Sequence, residues 1–122
     1  MIIGIGTDIV EINRIQKAIN KNRRFIDKVF TTEEIKYFEQ RKYNIQTISG
    51  MFAAKEAISK ALGTGIRGFS LHDIEVLHDE LNKPIVRLSS YVEHKHKLIN
   101  YKFHLTISHS DNNAIAFAIL EE

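Results

Sequence analysis

The feature that most constrains the fold is a long helical pattern in the middle of the chain, over residues 46–62. Apolar residues recur there at helical spacing, and Gly63 and Gly65 end the pattern. At about 100° per residue, the apolar side chains cluster on one side of the helix. The opposite side carries Phe52, Glu56, Ser59 and Lys60. We therefore predict a central helix with one side in the core and the other available for chemistry.

Shorter predicted elements surround this helix. Residues 2–10 alternate and are rich in Ile and Val, which predicts a strand. Thr31 and Glu34 match a capping box, so a helix begins there and extends to about residue 42, which gives Glu34 a structural role. The other predicted elements are helices near 11–20, 24–30 and 90–99 and strands near 73–78, 84–88, 103–109 and 114–120. This order predicts an α+β fold with a mostly antiparallel sheet packed against the long central helix.

Length and composition favour a single domain over residues 1–122. A chain of this size buries about two-thirds of its unfolded surface, and 43% of its residues are apolar. It contains no cysteine, which excludes thiol nucleophiles, cysteine-ligated zinc and iron–sulfur clusters. The pattern of a signal peptide or a membrane span is absent. We therefore expect a soluble cytoplasmic protein that does not bind a membrane.

Basic residues are concentrated near the N-terminus, although the net charge is only +2. Residues 14–28 contain six basic side chains against Asp27 alone. At helical spacing Arg14, Lys17, Lys21, Arg24 and Lys28 form one stripe, unless the asparagines at 20 and 22 break the helix. Such a stripe is either a solvated helix face or a docking surface for an acidic partner. Nucleic acid is the weaker choice of partner, because no recognisable nucleic-acid-binding module is present.

Two acidic residues far apart in the sequence form a candidate metal site. Strand alternation places Gly4, Gly6 and Asp8 on one face, where the glycines either clear space for a bulky ligand or let another element pack closely. Glu56 lies four residues before Lys60, a spacing that also fits an ordinary surface ion pair. Two carboxylates completed by water and phosphate oxygens are typical Mg²⁺ ligands. The combination indicates phosphate chemistry, with Lys60 balancing the charge of a phosphoryl group.

Two further features are weaker candidates. The glycine-rich segment 63–68 resembles a phosphate loop, but it follows a helix, where the helix dipole disfavours an anion. Capping of the helix is its default role. His109 lies at the mouth of the predicted C-terminal hairpin, where a single histidine is more often structural than functional.

Three separated segments, taken together, resemble one enzyme family. They read GIGTDIVEINRI at 4–15, FAAKEAISKALGTGI at 52–66 and TISHS at 106–110. Their order, spacing and total length are similar to the holo-[acyl-carrier-protein] synthases, the short bacterial branch of the 4′-phosphopantetheinyl transferases. The Phe-x-x-Lys-Glu-x-x-x-Lys pattern with an upstream Gly-x-Asp is the most specific part of the resemblance.

The resemblance implies a transferase fold and a function in fatty acid biosynthesis. The implied reaction moves phosphopantetheine from coenzyme A to a serine of apo acyl carrier protein and releases adenosine 3′,5′-bisphosphate. Asp8 and Glu56 would bind Mg²⁺, and Lys60 would contact the diphosphate. Residues implied near the coenzyme are Ser59, Lys60, Gly63, Thr64, Gly65, Lys83, Pro84, His109 and Ser110. Residues implied in carrier binding are Arg14, Arg24 and Phe25, beside Lys28 of the stripe. A homotrimer with sites between neighbouring subunits is also implied.

Met51 departs from the family pattern, because related sequences often carry Arg there. The corresponding phosphate contact is either absent or supplied by another residue, such as Arg41, Lys42 or Arg67. The general base is open among a metal-bound water, Glu34 and an acid of the carrier. Two other functions fit the same residues: a non-enzymatic module that binds acidic carriers or nucleic acid, and a Mg²⁺-dependent nucleotide hydrolase.

Overall fold

A three-stranded sheet and one long helix form the frame of the protein. The computed structural model describes residues 1–122. The strands are β1 (Ile2–Glu11), β2 (Ile74–His78), β3 (Pro84–Leu88), β4 (Lys102–His109) and β5 (Asn113–Glu121). The helices are α1 (Ile12–Lys21), α2 (Phe25–Val29), α3 (Thr32–Gln40), α4 (Ile45–Ala61) and α5 (Ser90–Lys95), with a 3₁₀ turn at Leu71–Asp73. The sheet order is β1-β5-β4, and β2 and β3 form a separate hairpin. All strand pairs are antiparallel, so the predicted α+β architecture is confirmed.

One helix boundary differs from the sequence prediction, and another agrees with it. The helix predicted near 90–99 ends at Lys95, because Lys97 and Asn100 have φ angles of 53° and 52°, a left-handed conformation that does not continue a right-handed helix. Asn22 is extended and ends α1, which confirms the break foreseen at the asparagines. The basic stripe is therefore divided between α1 and α2. No helix is long and apolar enough to cross a bilayer.

The central helix α4 is buried on nearly every side. It packs against β1, β4 and β5 on the sheet side and against α1 and β2 on the other. Its buried residues include three polar ones, Ser49, Lys55 and Ser59, each with no exposed surface. The prediction of one core side and one open side is therefore wrong in part: the open side is a narrow strip on which Glu56 is partly accessible and Lys60 is exposed.

Two glycines let β1 lie directly on α4. A Cβ atom on Gly4 would lie 1.8 Å from the Ala61 carbonyl oxygen, and one on Gly6 would lie 2.0 Å from that of Ala57. Both contacts are to helix backbone, which cannot swing aside. Of the two roles considered for these glycines, the structure shows close packing of another element. That packing brings the next inward-facing residue of β1, Asp8, onto the helix.

We expect Gly6→Ala to destabilise the fold by about 2–3 kcal/mol, because the added methyl group forces β1 away from α4. Urea unfolding followed by circular dichroism measures this loss. Gly50→Ala is the matched control, since its Cβ would meet only the Ile107 side chain, at 2.8 Å. Equal stabilities for the two variants would contradict the close-packing account.

A buried ion pair joins α3 to α4. Thr31 and Glu34 form the predicted capping box, and the Glu34 side chain is completely buried. Lys55 Nζ lies 2.6 Å from Glu34 Oε1 and donates hydrogen bonds to the carbonyl oxygens of Val29 and Leu71, each at 2.9 Å. All three ammonium donors are thus used. Burial raises the pKa of Glu34 and lowers that of Lys55, and their mutual attraction opposes both shifts.

Candidate active site

Asp8, Glu56 and Lys60 meet where the edge of the sheet crosses α4. Strand β1 is an edge strand, so one side of its backbone has no strand partner. Lys60 Nζ donates to the Thr7 carbonyl oxygen at 3.0 Å and to Asp8 Oδ1 at 3.1 Å. The Asp8 side chain is 16% exposed and that of Lys60 is 52% exposed. The residues that the sequence singled out for phosphate chemistry therefore share one site.

The two carboxylates repel each other in this site. The pKa of Glu56 is raised by burial first and by the charge of Asp8 second, while Lys60 partly offsets both effects. One ammonium group therefore compensates two neighbouring carboxylates only in part. A pair of acids held together in this way is poised to accept a cation.

This donor set fits Mg²⁺. The ion prefers hard oxygen ligands and is often held by one or two carboxylates, with waters and substrate phosphates completing its shell. Asp8 and Glu56 supply two such groups, although no set of three or more His, Cys, Asp or Glu side chains that could hold a metal ion gathers anywhere in the chain. The site is open at the sheet edge, where Lys60 is half-exposed and a phosphorylated substrate has access.

The loop after α4 has the geometry of a helix terminus. Gly63, Gly65 and Gly68 have φ angles of 90°, 62° and 78°, a region that glycine adopts readily. The amide of Gly63 donates to the Lys60 carbonyl at 2.9 Å and that of Gly65 to the Ser59 carbonyl at 3.1 Å. Capping thus accounts for Gly63 and Gly65. The loop is exposed at Gly63 and Thr64 and begins three residues after Lys60.

Ser59 does not face the open site. Its side chain has no exposed surface, and its hydroxyl donates to the Glu56 carbonyl oxygen at 2.6 Å. Its hydroxyl is used inside the helix, and the expected position of Ser59 near the coenzyme stays a prediction. Helical spacing placed it beside Glu56 but did not show how many elements surround α4.

A second cluster of candidate residues lines a separate cavity of about 300 Å³. His109, Pro84 and Met51 all line it. Lys83 and Ser110 are exposed neighbours of Pro84 and His109, and they do not line it. The other lining residues include Tyr37, Arg41, Gln46, Thr47, His78, Asn82 and Thr106. Sequence reasoning named Arg41 only as an alternative and missed Tyr37, His78 and Asn82, which come from α3, from β2 and from the turn between β2 and β3.

The two clusters lie on different faces of α4. Met51 and Glu56 are five residues apart, which places them about 140° apart around the helix axis. Residues implied in binding one coenzyme are consequently divided within the chain. The carboxylates, Lys60 and the loop lie on one face, and Met51, Pro84 and His109 lie on the other.

The basic residues form two exposed groups beside the carboxylate site. Arg14 is exposed on α1, 3.8 Å from Glu11, while Arg24 precedes α2 and Lys28 lies on it. The Phe25 ring stacks on that of Phe52, with centroids 6.0 Å apart. Phe52 lies on α4 one turn before Glu56, so this stack connects the basic surface with the carboxylate site.

The sequence profile of the 4′-phosphopantetheinyl transferase superfamily matches residues 4–118. The chain therefore belongs to this superfamily of enzymes.

Individual relatives indicate the position of the chain within this superfamily. It is 62% identical over 121 residues to a holo-[acyl-carrier-protein] synthase of Clostridium botulinum strain Eklund 17B, covering 99% of this chain and 98% of the relative. The crystal structure of the Neisseria meningitidis holo-[acyl-carrier-protein] synthase superposes with a TM-score of 0.89 at 35% identity, and each chain is covered completely. The Helicobacter pylori synthase in complex with coenzyme A has a TM-score of 0.86 at 33% identity, covering 96% and 99% of the two chains.

Proposed function

We propose that the protein transfers 4′-phosphopantetheine from coenzyme A to a serine of apo acyl carrier protein and releases adenosine 3′,5′-bisphosphate, a step in fatty acid biosynthesis. The observation that carries the proposal is the convergence of Asp8, Glu56 and Lys60 at the β1 edge. Superfamily membership and the synthases among the relatives support the substrate pair. On this proposal the protein acts in the cytoplasm, as one domain over residues 1–122.

Asp8 and Glu56 would hold Mg²⁺. When bound, the ion supplies Lewis-acid stabilisation of phosphate charge. Lys60 would lie within reach of the same phosphates because its ammonium group already binds Asp8, and it would neutralise part of the charge that develops on the departing phosphate group. No enzyme nucleophile is required, since phosphoryl transfer depends mainly on positioning and charge stabilisation.

The reaction replaces one phosphorus–oxygen bond with another. The serine oxygen of the carrier bonds to the phosphorus that bears pantetheine, and the bond to the second phosphate of the diphosphate breaks. The serine proton passes to a base. Glu34 is not that base, because its carboxylate is completely buried and paired with Lys55. Arg14, Arg24, Phe25 and Lys28 form the surface that receives the acidic carrier beside the site.

The active protein is a homotrimer with coenzyme sites between chains. The outer face of the β1-β5-β4 sheet carries five exposed apolar side chains: Ile3, Ile5, Ile9, Ile115 and Phe117. A continuous apolar sheet face of this kind is typical of a protein–protein contact. The division of coenzyme-binding candidates between two faces of α4 supports the same arrangement, because a neighbouring chain would bring His109 and Pro84 to the carboxylates.

A mass spectrum of the carrier tests the reaction. Purified protein, apo carrier, coenzyme A and Mg²⁺ should increase the carrier mass by one phosphopantetheine group. A nucleotide hydrolase would consume coenzyme A without the carrier. An unmodified carrier that still binds in a salt-sensitive manner would overturn the proposal in favour of an adaptor.

The effect of Mg²⁺ should depend on pH. Mg²⁺ binds ionised carboxylates, and the pKa of Glu56 lies above its ordinary value. As pH falls through this raised pKa, Glu56 gains a proton and the affinity for Mg²⁺ falls. We expect 10 mM Mg²⁺, roughly the excess that a weak site needs, to increase Tm more at pH 8 than at pH 5. Differential scanning calorimetry in Ca²⁺-free buffer at both pH values measures the two increases in Tm. An increase that does not depend on pH would contradict a site made of carboxylates.

Phe117→Asp should convert the trimer to monomers and abolish activity while retaining the secondary structure. Phe117 is central on the sheet face, paired with Thr7 on β1 and Thr106 on β4. Light scattering gives the mass, and circular dichroism gives the fold. Ile85→Asp is the matched control, because Ile85 is similarly exposed, at 46%, but lies on β3 outside this face.

Mixed oligomers test the shared site directly. Chains with Glu56→Gln and chains with His109→Ala, refolded together, should recover part of the activity that each lacks alone. Recovery requires that the two residues serve one site from neighbouring chains. Absence of recovery, with mixed trimers demonstrated by mass spectrometry, would place each complete site within a single chain.

A further inference from the structure

Helix α2 is too short to hold its own position. It has five residues, Phe25–Val29, and Arg24 at its N-terminus makes no side-chain capping hydrogen bond. A helix of this length gains little from its own hydrogen bonds, so its stability comes from contacts with the rest of the protein. Arg24, Phe25 and Lys28, which we call the carrier surface of α2, are nevertheless proposed to receive the carrier. The position of this surface therefore depends on what holds α2.

Two side chains from other elements bind carbonyl groups at the end of α2. The last carbonyl groups of a helix have no partner within the helix itself. Lys55 Nζ, from α4, donates to the Val29 carbonyl oxygen at 2.9 Å. His72 Nε2, from the 3₁₀ turn Leu71–Asp73, lies 2.6 Å from the Asp27 carbonyl oxygen. Because a carbonyl oxygen only accepts hydrogen bonds, Nε2 of His72 carries the hydrogen and is the donor.

The 3₁₀ turn that carries His72 is fixed on the same central helix. Lys55 Nζ also donates to the Leu71 carbonyl oxygen at 2.9 Å, one residue before His72. A capping box closes the turn. One buried ammonium group therefore locates both the end of α2 and the residue that binds it. Since Glu56 follows Lys55 directly in α4, these contacts also fix the position of α2 relative to the proposed metal ligand.

The other contacts of α2 are few. It packs against the 3₁₀ turn and α1, and the Phe25 ring stacks on Phe52 with centroids 6.0 Å apart. Phe30, the residue after α2, places its ring centroid 5.2 Å from Lys55 Nζ. Lys55 is completely buried, whereas His72 is exposed. The His72 side chain is therefore the one of these two carbonyl-binding groups that can be replaced without removing core packing.

Resting on the proposed function, this attachment assigns a role to a residue outside the site. A surface that is already ordered binds its partner more tightly, because association does not then have to restrict its motion. We propose that His72 is a positioning residue for carrier binding. Its hydrogen bond to α2, supported by Lys55, holds the carrier surface of α2 at a fixed distance from Glu56. The imidazole acts through α2 and contacts neither substrate.

Two substitutions of His72 test this role. His72→Leu removes the hydrogen-bond donor, whereas His72→Gln retains an N–H group on a side chain of similar reach. We expect KM for the carrier to rise about three- to tenfold in His72→Leu, which corresponds to the loss of one hydrogen bond, and to return towards the wild-type value in His72→Gln. The values of kcat and of KM for coenzyme A should be nearly unchanged. His94→Leu is the matched control, because His94 is exposed on α5 and makes no hydrogen bond to α2.

Hydrogen exchange distinguishes a loosened α2 from a general loss of stability. The amides of Lys28 and Phe30 close the turns of α2, and that of Leu62 closes the end of α4. In His72→Leu, the first two should exchange about three- to tenfold faster, again the effect of one hydrogen bond, while exchange at Leu62 stays unchanged. Equal acceleration at all three amides would mean that the substitution destabilises the whole fold, and it would overturn the positioning role.

A variant that lacks the charges of α2 tests whether His72 acts through this helix. Arg24→Gln and Lys28→Gln together remove the basic groups of the carrier surface. If His72 acts by placing these groups, adding His72→Leu should raise KM for the carrier by less than about twofold, because the two sets of substitutions are coupled. An undiminished effect of His72→Leu in this background would overturn the assignment.

Calorimetric titration with apo carrier, in the absence of coenzyme A, separates this inference from the proposed function. Weaker carrier binding by His72→Leu, restored in His72→Gln, supports the positioning role even if the wild type transfers nothing. Transfer by the wild type, together with unchanged carrier affinity and unchanged carrier KM in His72→Leu, would support the proposed function and overturn the role of His72.

Discussion

Glu56→Gln should lower kcat/KM by about a thousandfold or more while leaving the protein folded. The substitution removes one of the two carboxylates proposed to bind Mg²⁺, an ion that would contribute several kcal/mol of charge stabilisation, and each 1.4 kcal/mol is about tenfold in rate. The amide is nearly isosteric, so the packing of α4 is retained. Initial rates of carrier modification at saturating coenzyme A and a range of Mg²⁺ concentrations measure the loss.

The stability of the same variant distinguishes a functional role from a structural one. In the metal-free protein, the charged form of Glu56 is disfavoured by burial and by Asp8, so replacing it with a neutral amide should leave stability at pH 8 equal or higher. The increase in Tm on adding Mg²⁺ should be lost. Glu39→Gln is the control, because Glu39 is exposed on α3 and forms no ion pair. Wild-type activity of Glu56→Gln in excess Mg²⁺ would remove Glu56 from the mechanism.

Local signals were sufficient to place most of the secondary structure. The capping box of Thr31 and Glu34 begins α3, and the α4 segment predicted at 46–62 agrees with the observed Ile45–Ala61. Asn44 caps α4 by accepting the Thr47 amide at 3.1 Å, and glycines follow its end. These interactions join residues only a few positions apart, so the sequence displays them directly.

The surroundings of each side chain depend on distant residues and were not predictable in the same way. Helical spacing identified the face that bears Glu56 and Lys60, but Ser59 is buried because several elements enclose α4. Lys55 is completely buried because a carboxylate and two carbonyl groups converge on it from α3, α2 and the 3₁₀ turn. Lysine is almost never fully buried unless it is paired, and pattern alone does not show the pair.

The close packing of β1 on α4 depends both on residues that the sequence displays and on contacts between distant elements. Gly4 and Gly6 are visible in the sequence, yet their role depends on which carbonyl groups lie above them. Because the helix backbone rests on the glycines, the side chain of Asp8 reaches Lys60 and lies close enough to raise the pKa of Glu56. The site therefore depends on backbone contact as much as on the identity of its acids.

The buried pair of Glu34 and Lys55 should contribute far more to the free energy of unfolding than an exposed ion pair does. We expect Lys55→Met to cost about 4 kcal/mol, because it leaves the Glu34 carboxylate buried without its cation. Adding Glu34→Gln to Lys55→Met should restore about half of the loss, because the buried charge is then gone. The recovery is incomplete because the glutamine side chain has only one acceptor oxygen, so one backbone N–H group loses its hydrogen bond. Lys36→Met, which breaks the exposed pair with Glu33 at 3.2 Å, should cost about 0.5 kcal/mol or less.

The loss in Lys55→Met should also depend on pH. Burial already raises the pKa of Glu34, and removing Lys55 removes the charge that opposed this shift. The folded state then binds a proton more readily than the unfolded state, so the stability of the variant rises as pH falls through the raised pKa. Urea unfolding at pH 5 and pH 8 should show a smaller difference from the wild type at pH 5. A loss that is equal at both values, or a double variant no more stable than Lys55→Met, would mean that lost packing rather than the unpaired carboxylate causes the destabilisation.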